Sequence, residues 1–408
     1  MEICKSGRVM QKTLKGKEYY FLRLNLIETD NTGTNKYHVK DIHTELSVGK
    51  RNFQKAVALL EEMIEKYNSN SESYYFQDYC RKWLESKKNT VERDNTSIMR
   101  ERESSIAGKV IRDLIAHVTN DNLIGRKIKS GELRKKMVEA PWRCPDIFTM
   151  TTIEMEHFTM EWLELKENPN TEKVILQLHG GGYIGAMRNA YRMFAGLYNE
   201  VSHGMSVLTI DYRVAPENPY PAALEDAVAS YQWLLDQGWF AEQIIVVGDS
   251  AGGGLAMALC HYLKDHRIPL PCGIVAMSPW TDLLASGESY DTNYEKDPLF
   301  GNTRDSLIYN NDYVGDHDRM DPYISPLYGD FRDFPPMLIQ VGSYEMLLSD
   351  SVSVASKARH QGVRVRLSIY DGMFHIFQMA AKMMPESRKA WVEIGKFIEL
   401  LCKSEELL

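Results

Sequence analysis

The run Ile244-Ile245-Val246-Val247-Gly248-Asp249-Ser250-Ala251-Gly252-Gly253-Gly254-Leu255-Ala256-Met257-Ala258-Leu259 decides the fold. Its first four residues are apolar and β-branched, the composition of a strand buried on both faces. Its last five favour a helix. Between them lies Gly248-Asp249-Ser250-Ala251-Gly252, a G-x-S-x-G string whose glycines leave room for a strained strand-to-helix turn. The string alone is common by chance and would then mark a flexible serine loop. With a strand before it and a helix after it, Ser250 reads as a nucleophile on an elbow. The helix N-terminus behind it would help to stabilise developing negative charge.

Short apolar strands alternate with helical patterns on both sides of this run. Val174–Leu178, Met205–Ile210, Ile244–Val247, Ile274–Met277, Met337–Val341 and Val363–Ile369 are six such strands. Phe148–Met155 and Phe158–Leu165, split by Glu156-His157, form a hairpin ahead of them. A hairpin followed by repeated β-α units predicts an α/β fold with a mostly parallel, eight-stranded sheet covered by helices on both faces. Before the hairpin, an amphipathic stretch runs through Ile106, Val110, Ile111, Leu114 and Ile115, and a second helical pattern covers residues 128–138.

A serine hydroxyl is a weak nucleophile and needs a base within hydrogen-bond reach. Of the 11 histidines, His38, His43, His261, His266 and His360 sit among charged or polar neighbours and read as surface residues. His375 lies in Asp371-Gly372-Met373-Phe374-His375-Ile376-Phe377, just after the last strand, where loops leave the carboxyl edge of an open α/β sheet and active sites form. The triad order of this fold asks for a carboxylate between serine and histidine. Glu345 occupies the loop directly after Met337–Val341, while Asp350 falls further on, inside the next helix, as a capping or surface-pair residue. Glu345 is therefore the expected acid.

Acyl transfer also needs donors aimed at the oxyanion. His179-Gly180-Gly181-Gly182 follows the strand Val174–Leu178, and the N–H groups of Gly181 and Gly182 with that of Ala251 would make a three-donor hole. A glycine triplet also suits a plain loop or a phosphate cradle. The phosphate reading is weakened because neither the P-loop nor the dinucleotide spacing is present. His179 reads as structural, holding the loop, and Asp211 with Arg213 as a structural pair behind the site.

At 408 residues, with 44% hydrophobic and 25% charged side chains, the chain is long enough for one large domain and a smaller one. No window approaches the roughly 18 apolar residues of a membrane span, and the start lacks the apolar core of a signal peptide. The six cysteines are scattered without metal spacing, as expected of reduced thiols in a cytoplasm. Charge is uneven. Residues 1–97 hold 17 Lys and Arg against 14 Asp and Glu, net +3, and the remainder holds 31 against 42, net −11. Such a shift suggests two segments of different role.

His179-Gly180-Gly181-Gly182-Tyr183, Asp211-Tyr212-Arg213-Val214-Ala215-Pro216-Glu217, Pro221-Ala222-Ala223-Leu224-Glu225-Asp226, Gly248-Asp249-Ser250-Ala251-Gly252-Gly253, Ser278-Pro279-Trp280 and Gly372-Met373-Phe374-His375 together resemble the hormone-sensitive-lipase-like (family IV) bacterial esterases. The resemblance spans about residues 170–380 in the family's order. It implies an α/β-hydrolase fold, the triad Ser250, Glu345 and His375, and an oxyanion hole from Gly181, Gly182 and Ala251. It further implies a helical cap from residues ~99–145 and ~283–325, and a preference for short acyl chains. The acid loop departs from the family's frequent Asp-Pro-Leu by reading Glu345-Met346-Leu347, which is similar to a branch with acetyl esterases and lactone hydrolases.

The first segment resembles something else. Ile42-His43-Thr44-Glu45-Leu46 and Phe76-Gln77-Asp78-Tyr79-Cys80-Arg81-Lys82-Trp83-Leu84 look like the arm-binding module and first core-binding helix of a phage- or transposon-type tyrosine recombinase. The strand-like run Tyr19–Leu26, the turn signal at 30–33 and helical patterns at 52–67 and 75–88 lie in this segment. The recombinase catalytic domain is absent, so recombination is excluded. Two domains are expected: residues 1–97, an integrase-like fragment or a folded extension without function, and 98–408, the hydrolase. The expected function is hydrolysis of short-chain carboxylic esters without metal or cofactor. A lactone hydrolase or deacetylase of the same fold is the alternative. Two rivals of other classes are a non-catalytic ligand-binding homologue and a DNA-binding fusion. A net charge of only +3 argues against DNA binding by residues 1–97 alone. The expected partners are a small ester and, as an open option, a second copy of the chain.

Overall fold

The chain divides into two units, Met1–Asn95 and Thr96–Leu408. The computed structural model describes residues 2–14, 17–29, 35–47, 97–100, 104–119, 139–301, 308–309 and 312–403. In the first unit, β1 (Glu2–Leu14), β2 (Lys17–Thr29) and β3 (Asn35–Ser47) form an antiparallel sheet in that order. The run Tyr19–Leu26 lies within β2, where Phe21 pairs with Met10 on one side and Leu22 with Ile42 on the other. The turn at 30–33 and the helical patterns at 52–67 and 75–88 lie outside the described residues, as does the pattern at 128–138.

The second unit is built on a nine-stranded sheet. In chain order its elements are β4 (Ser97–Arg100), α1 (Ile106–Thr119), β5 (Phe148–Glu154), β6 (Thr159–Leu165), β7 (Asn170–Leu178), α2 (Asn189–Val201), β8 (Met205–Asp211) and α3 (Ala222–Asp236). There follow β9 (Ile244–Asp249), α4 (Ala251–Asp265), β10 (Gly273–Met277), β11 (Met337–Gly342), α5 (Leu348–His360), β12 (Val365–Tyr370) and α6 (Pro385–Lys403). The spatial order is β4-β12-β11-β10-β9-β7-β8-β6-β5. Strands β4 and β7 to β12 are parallel, and the β5–β6 hairpin joins by an antiparallel β6–β8 pairing.

Successive side chains of a strand point to opposite faces, and this alternation divides the core. Val174, Leu176, Ile244 and Val246 pack with Leu224 and Tyr231 of α3, Leu255 and Leu259 of α4 and Val354 of α5. Ile175, Ile245, Val247 and Val275 pack with Phe194 and Tyr198 of α2 and Trp391, Ile394 and Ile398 of α6. Trp391 meets Phe194 and Tyr198 edge-on, with ring centroids 5.3 and 4.9 Å away. Each fully buried Val, Leu or Ile contributes about 1.5–3 kcal/mol. Burial on both faces is why these strands are continuous apolar runs and why they were easy to see.

The eight expected strands are all present. The ninth, β4, was not expected, and residues 99–100, assigned to the start of the cap, belong to the sheet: Ser97 to Arg100 pair with Leu367 to Tyr370 of β12. Four residues with two apolar side chains carry too little periodicity to stand out from a loop. The amphipathic stretch after it is α1. Ile111 and Ile115 pack on Tyr370, Met373, Phe374 and Phe377, while Ile106, Val110 and Leu114 face outward. Glu386, at the start of α6, anchors the head of α1, accepting from Ser105 N (2.5 Å) and Ser105 Oγ (2.9 Å). Among the described residues no helix is long and apolar enough to cross a membrane.

Candidate active site

Parallel strands bring their carboxyl ends to one edge, and the singled-out residues gather there. Ser250 stands between β9 and α4 with φ 52° and ψ −120°. A side chain in that region costs on the order of 1–3 kcal/mol and persists only where neighbours fix it. They do so through the main chain: Ser250 N donates to Met277 O (2.9 Å), and Ser250 O accepts from Trp280 N (2.9 Å) and Gly254 N (3.1 Å). The two glycines of the elbow are needed for close approach. A Cβ on Gly252 would strike the carbonyl oxygens of Leu178 and His179, and one on Gly248 would strike the carbonyl of Gly252. Gly252→Ala is expected to lower stability by about 1–3 kcal/mol, the usual cost of overpacking. Urea unfolding checks this, because a midpoint equal to the parent's would mean the backbone has room that the packing denies.

His375 Nε2 lies 3.0 Å from Ser250 Oγ, and His375 Nδ1 lies 2.9 Å from Glu345 Oε2. Glu345 accepts at Nδ1, so that nitrogen carries the proton and Nε2 is left to accept from the serine hydroxyl. Glu345 is fully buried, and Ser250 and His375 are each 6% exposed. The second oxygen of the acid, Oε1, accepts from Ser278 Oγ (2.8 Å) and from Gly342 N. Ser278 Oγ in turn accepts from Ile376 N (3.3 Å), so one hydroxyl links the acid to the histidine loop. Phe300 covers the imidazole, with ring centroids 4.7 Å apart.

The glycine loop passes beside the elbow. Gly180 N donates to Asp249 Oδ1 (3.1 Å), and Gly181 and Gly182 both take positive φ, 109° and 62°. Gly181 O accepts from Ile184 N (3.1 Å) and Gly185 N (2.9 Å), which closes the loop into a turn. Burial drives the His179 pKa down to about 4, so the ring is neutral. Its Nδ1 donates to Gly180 O (2.6 Å), and the ring stacks on Tyr212 at 4.1 Å. Asp249, also buried, has its pKa pushed up to about 7, again chiefly by burial.

Three sequence expectations are corrected. Asp211 does not pair with Arg213. Beyond the end of β8, Arg213 turns to α3 and forks onto Asp226, with Nη2 to Oδ1 at 2.7 Å and Nε at 3.0 Å. Asp211 instead accepts from Met187 N (3.0 Å). Asp350 is no surface-pair residue: it is buried on α5 and accepts from Thr281 N, Asp282 N and Tyr290 Oη at 2.8–2.9 Å. His261 is buried against Phe331 and Phe334, and burial lowers its pKa to about 4. In each case tertiary packing, and not the residue's chain neighbours, decides its surroundings. Ser278, Asn293, Asp297 and Phe300, all around the acid and the histidine, were not singled out. Only Ser278, in the quoted Ser278-Pro279-Trp280, lay in a segment with any signal. Among the described residues no group of three or more His, Cys, Asp or Glu is placed to hold a metal ion.

A family model described as alpha/beta hydrolase fold matches residues 175–379. An acetyl-hydrolase of Streptomyces hygroscopicus is 36% identical over 242 residues, covering 59% of this chain and 80% of the relative. An ethyl acetate hydrolase of Pseudomonas putida is 30% identical over 235 residues, covering 55% and 72%. Among solved structures, an esterase from the bacterial hormone-sensitive lipase family superposes with a TM-score of 0.64 at 32% identity, covering 74% of this chain and 99% of that one. A structure of EstE5 soaked with p-nitrophenyl butyrate gives 0.67 at 32%, covering 73% and 99%.

Proposed function

Because the chain belongs to the α/β-hydrolase fold family and is a carboxylic ester hydrolase of the hormone-sensitive-lipase type, we propose that Ser250, His375 and Glu345 hydrolyse short-chain esters by two-step acyl transfer. His375 takes the proton of Ser250 at Nε2 as the Ser250 oxygen attacks the ester carbonyl. The carbonyl π electrons move onto oxygen, and the N–H groups of Gly181, Gly182 and Ala251 receive that charge. Collapse breaks the carbon–oxygen bond to the leaving alcohol, which takes the proton from His375. Water then attacks the acyl-serine with His375 again as base and releases the acid. Glu345 holds the imidazole in the Nδ1-protonated tautomer and stabilises its charged form.

The observation that carries this reading is the unbroken hydrogen-bond chain from Ser250 Oγ through His375 to Glu345 Oε2. A preference for short acyl groups is supported by relatives called acetyl-hydrolase and ethyl acetate hydrolase. Cys144, Cys260, Cys272 and Cys402 are reduced thiols, in keeping with the cytoplasmic setting we propose.

A fluorophosphonate should label the full chain stoichiometrically, and peptide mapping should place the label on Ser250. A chain left unlabelled, or labelled elsewhere, removes the proposal and favours a ligand-binding scaffold. Across p-nitrophenyl esters, kcat/KM for acetate and butyrate should exceed that for decanoate by about tenfold or more, since each methylene a pocket admits or rejects changes binding by roughly 1–3 kcal/mol. A lactone panel in the same assay separates the esterase from its lactone-hydrolysing alternative.

A further inference from the structure

The segment Ser289–Phe300 lies in the insertion between β10 and β11, outside the triad, and yet it binds the main chain of the acid loop. Asn293 Nδ2 donates to both Ser343 O (2.9 Å) and Glu345 O (2.8 Å). Asp297 Oδ2 accepts from Met346 N (2.7 Å), while its Oδ1 accepts from Leu299 N (2.9 Å) and Phe300 N (3.0 Å). Ser289 Oγ donates to Met346 O (2.5 Å) and accepts from Ser349 N (2.8 Å). Asn293 and Asp297 are themselves buried. The Glu345 carbonyl and both main-chain polar groups of Met346 are therefore held by side chains of this insertion. The main-chain links of Glu345 to its own loop are longer, Glu345 N to Gly342 O at 3.3 Å and Leu348 N to Glu345 O at 3.2 Å. Asp297 also sets the turn that brings Phe300 into a tilted ring contact with His375.

Resting on the triad assigned above, we propose that Asn293 and Asp297 are positioning residues of the reaction. Together they fix the Glu345 backbone so that Oε2 meets His375 Nδ1, and Asp297 also holds Phe300 against the imidazole. The physical case is one of tolerance. A carboxylate can orient an imidazole only within a narrow window, and a displacement of about 1 Å costs roughly 100-fold in rate. Glu345 stands on a loop directly after β11, where the sheet's own hydrogen bonds have ended. Main-chain groups of such a loop reach fixed positions only if partners from elsewhere hold them. The insertion provides those partners from residues about fifty positions away in the chain.

The rival explanation is that these bonds merely stabilise a loop, and a rate measured on folded protein separates the two. In the full chain, Asn293→Ala removes both donors to the acid loop. Asp297→Asn keeps the shape but replaces one acceptor by an N–H that faces another N–H. For either variant the rate constant of fluorophosphonate labelling and kcat on p-nitrophenyl acetate should fall by about 10- to 100-fold, with KM within about threefold of the parent. A variant that is folded by circular dichroism and labels within about threefold of the parent overturns the inference, even if its melting temperature has dropped. Should Asn293→Ala fail to fold, the isosteric Asp297→Asn carries the test alone. If the parent itself does not label at Ser250, the triad assignment fails. A labelled parent with unaffected variants removes only the positioning role.

Discussion

Ser250→Ala is expected to leave kcat on p-nitrophenyl acetate about 10⁶-fold below the parent, the usual scale when a catalytic serine is removed. The size of the loss follows from the mechanism: without the hydroxyl there is no acyl-enzyme, and what remains is water attacking an ester bound beside the proposed oxyanion donors. The fold should be untouched. The elbow is held by the main-chain N and O of Ser250, bonded to Met277, Trp280 and Gly254, and alanine bears the same Cβ in the same backbone region. Unfolding at the parent's denaturant midpoint together with activity lost is therefore the expected pair of results. Activity within tenfold of the parent would sink the assignment of the nucleophile.

Glu345→Gln is expected to lower kcat by about 10⁴-fold, the scale seen when the acid of a serine triad becomes an amide and the imidazole adopts the wrong tautomer. The surroundings dictate which way the new amide turns. Ser278 Oγ and Gly342 N both donate to Oε1, so the amide oxygen is drawn to that side and the amide nitrogen is left facing His375 Nδ1. Two donors cannot share that contact, so the ring proton moves to Nε2, where it meets Ser250 Oγ and blocks deprotonation. Steady-state kinetics on p-nitrophenyl acetate would show kcat falling with little change in KM. A change of less than about tenfold in kcat would mean that Glu345 does not set the tautomer.

Much of this arrangement was legible in the sequence, for reasons tied to particular residues. Ile244–Val247 is buried on both faces, so its apolar character is unbroken and the turn after it stands out. His375 and Glu345 each follow directly on a strand, and a parallel sheet sends all such loops to one edge. What could not be read depends on distant partners. The bond from Asn293 to Glu345 joins residues 52 positions apart, and that from Asp297 to Met346 joins residues 49 apart. Nothing near Asn293 or Asp297 in the chain announces either. Proximity in sequence favours Asp211 as the partner of Arg213, whereas the fold brings Asp226 of α3 to it. β4 escaped because four residues are too few for a period to show.

The distance in sequence between Ser250 and His375, 125 residues, has a bearing on how activity arises during folding. The two side chains stand at the ends of β9 and β12, with β10 and β11 between them in the sheet. No nascent fragment ending before residue 375 contains the pair, and a collapsed chain with the inner strands misordered would hold them apart. Parallel pairings of this kind bear the entropy of closing long loops before they gain anything from the contact, and so they form late. Turnover of an ester is then a reporter of the ordered stretch from β9 to β12. Recovery of hydrolysis after dilution from denaturant times the joining of β12 to β9 through β10 and β11, whereas helical signal times the more local events.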